Sequence, residues 1–171
     1  MQAAAARLAA AGQSCRLPMT CNQPQRYHPV TDALPKSLTP QQAYKLLEEH
    51  PQAVLVDIRS TMEFLFVGHP KGAVHVAWID EPEWTVNPEF VTEIRKLLLG
   101  GAVCTPDGPC APVVLICRSG KRSLEAGKTL IQAGLRNVFH VDEGFEGELD
   151  DEHHRSTSGG WRFHGLPWEQ C

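Results

Sequence analysis

Val113-Val114-Leu115-Ile116-Cys117-Arg118-Ser119-Gly120-Lys121-Arg122-Ser123 changes character halfway along. Its first four residues are apolar without interruption, the pattern of a short strand buried on both faces in a parallel sheet. The remainder is a short loop with one glycine and three cations, leading into a helical stretch from Ser123 to about Ala133 that Gly134 closes. A thiol at the carboxyl end of such a strand faces loop amides and the positive end of the following helix. Both favour negative charge, and Arg118, Lys121 and Arg122 add to it. The segment reads as an anion-binding cysteine nucleophile.

Upstream, Thr39-Pro40-Gln41-Gln42 carries a helix start: Thr39 as cap, Pro40 at the first position and Gln42 completing a capping box. The helix is expected from Pro40 to about His50, with Ala43, Leu46 and Leu47 on its buried stripe and Pro51 ending it. Residues 53–58, ending in Asp57-Ile58, form a second buried strand, and Thr61 to Val67 a helical turn. The loop Gly68-His69-Pro70-Lys71-Gly72 then delivers a short strand over 73–77. Asn87-Pro88-Glu89-Phe90 opens another helix, which Gly100-Gly101 ends. The glycine- and proline-rich run from Gly100 to Pro112 is an exposed loop, and residues 137–141 make a further strand. Strands alternating with helices imply an α/β fold with a parallel sheet and ligands at the strands' carboxyl ends. Residues 148–160 read as polar loop, and the aromatic tail from Trp161 to Trp168 as packed back on the domain.

The chain has 171 residues, the size of one ordinary domain. Residues 1–34, an Ala tract followed by scattered prolines, read as an N-terminal extension, leaving 35–171 as the domain. A formal net charge of -4 gives no reason to expect nucleic acid or an anionic membrane as partner. The absence of a long apolar run excludes a membrane-spanning helix. The Ala tract lacks a basic start and is interrupted by Arg7, so it makes a poor secretory signal and a cytoplasmic location is expected. The six cysteines, at 15, 21, 104, 110, 117 and 171, then read as free thiols. Neither Cys15 with Cys21 nor Cys104 with Cys110 has a matching ligand pair at zinc spacing, so no metal is expected.

From residues 37 to 168 the chain resembles the single-domain rhodaneses, a sulfurtransferase family. The resemblance rests on Thr39-Pro40, Asp57-Ile58-Arg59, Gly68-His69 before Gly72-Ala73, Cys117 to Ser123, Glu143-Gly144 and the closing Trp161 with Gly165-Leu166-Pro167, all in family order. Pro70 comes one place earlier than in the family pattern, and Phe145 stands where a second glycine is common. The resemblance implies a rhodanese-like α/β fold, a central parallel sheet of about five strands flanked by helices on both faces. It implies that Cys117 takes a sulfane sulfur from an anionic donor such as thiosulfate, carries it as a persulfide and hands it to cyanide or a thiol, with a sulfur-relay protein as a further possible partner. No cofactor is implied.

In that reading Arg122 binds the anionic end of the donor, Arg118 and Lys121 attract it, and Ser119, Gly120 and Ser123 supply donors to the sulfur. Asp57 and Arg59 read as supporting residues: Asp57 accepts hydrogen bonds that brace the active loop, and Arg59 pairs with a carboxylate such as Glu63. His69, His75, His153, His154 and His164 read as packing or surface residues. Two other functions stay open. One is a carrier or docking module that stores sulfur on Cys117 without turnover. The other is a cysteine phosphatase or arsenate reductase, which needs a longer loop around a tetrahedral anion than Arg118 to Lys121 provide between Cys117 and Arg122.

Overall fold

The computed structural model describes residues 33–101 and 111–171. In chain order, strand β1 (Lys36–Leu38) leads into helix α1 (Pro40–Glu49), and β2 (Val54–Asp57) into a π-helical turn (Glu63–Val67). Two short strands, β3 (His69–Pro70) and β4 (Val74–His75), precede helix α2 (Phe90–Gly101). After them come β5 (Val113–Ile116), helix α3 (Lys121–Gln132), β6 (Val138–Val141) and β7 (Trp168–Glu169).

Five strands form one sheet in the order β1-β6-β5-β2-β4, and every pairing in it is parallel. Alternation along the strands assigns the two faces. Val56, Val113 and Leu115 pack with Phe90 and Ile94 of α2 and with Ala126 and Leu130 of α3. Leu55, Val114 and Ile116 pack on the other side with Ala43 of α1, Phe145 and Trp161. Helices thus cover both faces, which is why β5 could be apolar throughout. Each fully buried aliphatic or aromatic side chain contributes about 1.5–3 kcal/mol.

Thr39 caps α1 as expected: its hydroxyl accepts from the Gln42 amide and the Gln42 side chain accepts from the Thr39 amide. Gly134, in the left-handed region just after α3, ends that helix. Four differences from the sequence reading stand out. Strand β1 has too few residues for a periodic signal and forms because it pairs with β6 at the sheet edge. The strand expected over 73–77 is only two residues long, an edge strand, although the chain beyond it stays bonded beside β2, the Val76 amide donating to the Asp57 carbonyl and the Trp78 amide to the Ile58 carbonyl. Helix α3 begins at Lys121, two residues before Ser123. The tail packs back through Trp161, 1% exposed, but its last part also forms β7, antiparallel to β3. The expected extension over 1–34 lies almost wholly outside the described residues, as do most of the 100–112 loop and Cys15, Cys21, Cys104 and Cys110.

Between β2 and β5 the topology reverses: the chain leaves β2 outward to β4 and returns to β5 on β2's other side. The loops after β2 and β5 therefore diverge from a common crevice at the strands' carboxyl ends.

Candidate active site at the switch point

Cys117 follows β5 directly and continues its alternation, so its side chain falls on the α2–α3 side among Ile58, Trp78 and Phe90. It is 1% exposed. Even so the sulfur is aimed into the loop: the Ser123 amide donates to Sγ at 3.4 Å, and the thiol lies 3.5 Å from Ser123 Oγ, to which it donates. The Ser123 hydroxyl in turn donates to the Gly120 carbonyl at 2.9 Å. The loop closes on itself because Gly120, the cap of α3, adopts φ 82°. A Cβ there would meet the Asp142 carbonyl at 1.8 Å, so the backbone of the next loop leaves room for glycine alone.

The three loop cations are not free. Arg122 Nη1 and Nη2 donate to the two carboxylate oxygens of Glu63 at 2.9 and 2.8 Å, a fork-on-carboxylate pair. Arg118 Nε approaches the same carboxylate at 3.9 Å, and Lys121 pairs with Glu148 at 2.9 Å on the surface. Glu63 is fixed from its own side by a reciprocal cap, the Ser60 amide donating to its carboxylate and the Glu63 amide to the Ser60 hydroxyl. Burial works to raise the Glu63 pKa, but the Arg122 hydrogen bond and charge, the Ser60 amide and Arg118 outweigh it and hold it below its ordinary value. For Arg122 burial acts downward and is likewise outweighed, by Glu63 first and then by the nearness of Cys117 and Asp57. The sequence reading gave Arg122 to the substrate; the structure gives its fork to Glu63. Beside this pair lies a depression of about 330 Å³, lined by Ser60, Met62, Glu63, Glu81, Trp84, Arg118 and Arg122.

Arg59 and Asp57 are fully buried and pair with each other: Arg59 takes a carboxylate as expected, but that of Asp57 in place of Glu63. Arg59 does not reach Glu63; its Nε and Nη2 donate to Asp57 and Nη2 also to the Gly68 carbonyl at 2.6 Å. Asp57 accepts from Arg59, including the Arg59 backbone amide, and so braces a neighbour of the loop. Local geometry explains the swap: two residues apart across a strand end, the two side chains fold onto one side, while Glu63 is drawn to its cap at Ser60. The bracing reaches Cys117 at one remove. The Arg59 guanidinium lies 4.3 Å from the centroid of the Phe145 ring, and the Phe145 amide donates to the Cys117 carbonyl at 2.7 Å. Glu146 likewise donates to the Arg118 carbonyl at 2.9 Å.

Two residues of the site were not singled out in the sequence. Glu63 was named only as a partner for Arg59; its Ser-x-x-Glu spacing from Ser60 was the available signal. His140, at 6% exposure in β6, lies 3.5 Å from Ser123 Oγ through Nδ1, and no local pattern marked it. Burial lowers its pKa below 6.5, against partial opposition from Asp142 and the Gly120 carbonyl. Of the other histidines singled out in the sequence, His69 stacks on Phe64 at 3.7 Å, His75 Nε2 meets the Arg59 carbonyl at 2.8 Å and His164 pairs with Glu143, while His153 and His154 are exposed.

Residues 39–149 match the family model described as the Rhodanese-like domain. Among curated relatives, an uncharacterized protein of Rickettsia conorii is 29% identical over 129 residues, 74% of this chain and 91% of that protein. The thiosulfate sulfurtransferase GlpE of Haemophilus influenzae is 31% identical over 112 residues, 66% of this chain and 86% of its own. Among solved structures, Rv0390 from M. tuberculosis superposes with a TM-score of 0.68 at 38% identity, covering 81% of this chain and all of that one. With the matched segment running from the α1 cap to beyond the turn that carries Phe145, the chain belongs to the rhodanese-like domain family.

Proposed function

We propose that the protein is a sulfurtransferase in which Cys117 takes up a sulfane sulfur and passes it to a thiophilic acceptor. The carrying observation is the sulfur's position: at the end of β5, beside the first turn of α3, with the Ser123 amide donating to it at 3.4 Å. An amide donor and the helix's positive end stabilise the thiolate before reaction and the persulfide after it. The thiolate attacks the outer sulfur of the donor, the donor's S–S bond breaks, and the rest of the donor leaves with the bonding electron pair, as sulfite from thiosulfate or as a thiolate from a persulfide. Cyanide or a thiol then attacks the outer sulfur of the Cys117 persulfide and restores the thiolate. Gly120 lets the loop turn, Ser123 holds the sulfur through amide and hydroxyl, and the Arg118, Ser119, Lys121 and Arg122 positions complete the turn around it. Asp57 and Arg59 support the loop through Phe145.

The test is intact mass after incubation with inorganic polysulfide or thiosulfate, comparing wild type with Cys117→Ser. Wild type is expected to gain one sulfur atom that cyanide removes, and Cys117→Ser to gain none. Absence of cyanide-labile sulfur on wild type with either donor overturns the reading.

A further inference from the structure

We infer that Glu63 is a specificity-determining residue of the Cys117 site, selecting against dianionic donors such as thiosulfate and in favour of small organic persulfides. The inference rests on the sulfur-transfer reading above. A cationic loop by itself suits any small anion, and thiosulfate with two negative charges best of all. The structure removes that preference. Both terminal nitrogens of Arg122 are taken by Glu63, Arg118 leans on the same carboxylate, and Lys121 is turned to Glu148. Glu63 keeps its charge at neutral pH, since its pKa lies below the ordinary carboxylate value. The depression beside the pair holds the guanidinium groups of Arg118 and Arg122 against the carboxylates of Glu63 and Glu81, so its formal charges cancel. A dianion entering it gains little from the cations and is repelled by two carboxylates.

The same walls suit a different donor. Met62 and Trp84 line the same depression and are 51% and 58% exposed, so it offers apolar surface beside its charged groups. They can cover the organic body of an alkyl persulfide, and Glu81 can meet an ammonium group on it. Such a donor carries one negative charge fewer than thiosulfate when both are ionised. In transfer, the Cys117 thiolate takes the terminal sulfur, the donor's S–S bond breaks, and a thiolate leaves with the electron pair.

The experiment compares kcat/KM for thiosulfate and for cysteine persulfide in wild type, Glu63→Gln and Glu81→Gln, with sulfur loading of Cys117 followed by mass. Glu63→Gln keeps an oxygen for the Ser60 amide and removes the charge. It is expected to raise kcat/KM for thiosulfate about tenfold, mainly through KM, while cysteine persulfide changes by less than about threefold. Glu81→Gln, which lies outside the loop although its carboxylate meets the Ser60 side chain, is expected to shift the ratio the same way by a smaller factor, and it serves if Glu63→Gln does not fold. Parallel loss with both donors in Glu63→Gln makes the residue structural and overturns the inference, as does an unmoved ratio in Glu81→Gln should that variant alone fold. Loading with an unmoved ratio overturns the inference alone; no loading from either donor overturns the sulfur-transfer reading and the inference with it.

Discussion

The Phe145 amide donates to the Cys117 carbonyl at 2.7 Å, tying the residue proposed as nucleophile to the turn that follows β6. Phe145 is 0% exposed; its ring lies under Arg59 and makes an edge contact with Trp168 at 6.1 Å. One side chain thereby links the loop after β5, the buried ion pair after β2 and the carboxyl-terminal tail.

Phe145→Ala is expected to lower unfolding free energy by about 3–5 kcal/mol, the range for deleting a fully buried aromatic ring. Urea denaturation measures it. A loss under about 1 kcal/mol would show that the ring's contacts with Arg59 and Trp168 do not hold the tail and loop together.

Asp57→Asn removes the hydrogen-bonded counter-charge of the fully buried Arg59 guanidinium and leaves it only the longer pair with Glu146 at 3.6 Å. Breaking one side of a buried pair costs about 3–5 kcal/mol, far above the value of an exposed one. Thermal unfolding of Asp57→Asn beside Lys45→Ala, which removes an exposed pair with Glu49, is expected to show a large drop in the first and almost none in the second.

Gly120→Ala should fail where Gly72→Ala does not. Both glycines have positive φ, but a Cβ at Gly72 meets nothing within 4 Å, whereas at Gly120 it collides with the Asp142 carbonyl. The expected loss is about 1 kcal/mol for Gly72→Ala, from the left-handed backbone alone. For Gly120→Ala it is more than about 2 kcal/mol, together with loss of sulfur loading on Cys117.

His140 makes stability depend on pH. Burial first of all holds its folded pKa below 6.5, so the unfolded chain binds the proton more readily than the folded one. Stability is complete above pH 6.5 and declines as pH falls below that value toward the lowered folded pKa. Thermal midpoints between about pH 7.5 and 5.5 should therefore fall in wild type, with a shallower slope in His140→Gln. Equal slopes in the two proteins would mean that another group carries the dependence.

The apolar runs of β2 and β5, the Thr39-Pro40-Gln42 cap and the loop from Cys117 to Ser123 were legible along the chain because each is a local effect: burial on both faces, a satisfied helix end, a turn that only glycine permits. Those signals were enough to give the α/β class and to single out the cysteine. The charge balance around it was not legible, because it depends on which side chains two loops bring together across the switch point. The sequence holds Arg59, Glu63 and Arg122 without saying that the first folds back on Asp57 and the second closes on the third. His140 and β1 were hidden for the same reason: one matters through a neighbour 17 positions away, the other exists only as the edge partner of β6. Local physics singled out the cysteine proposed as nucleophile; long-range pairing set the charges around it.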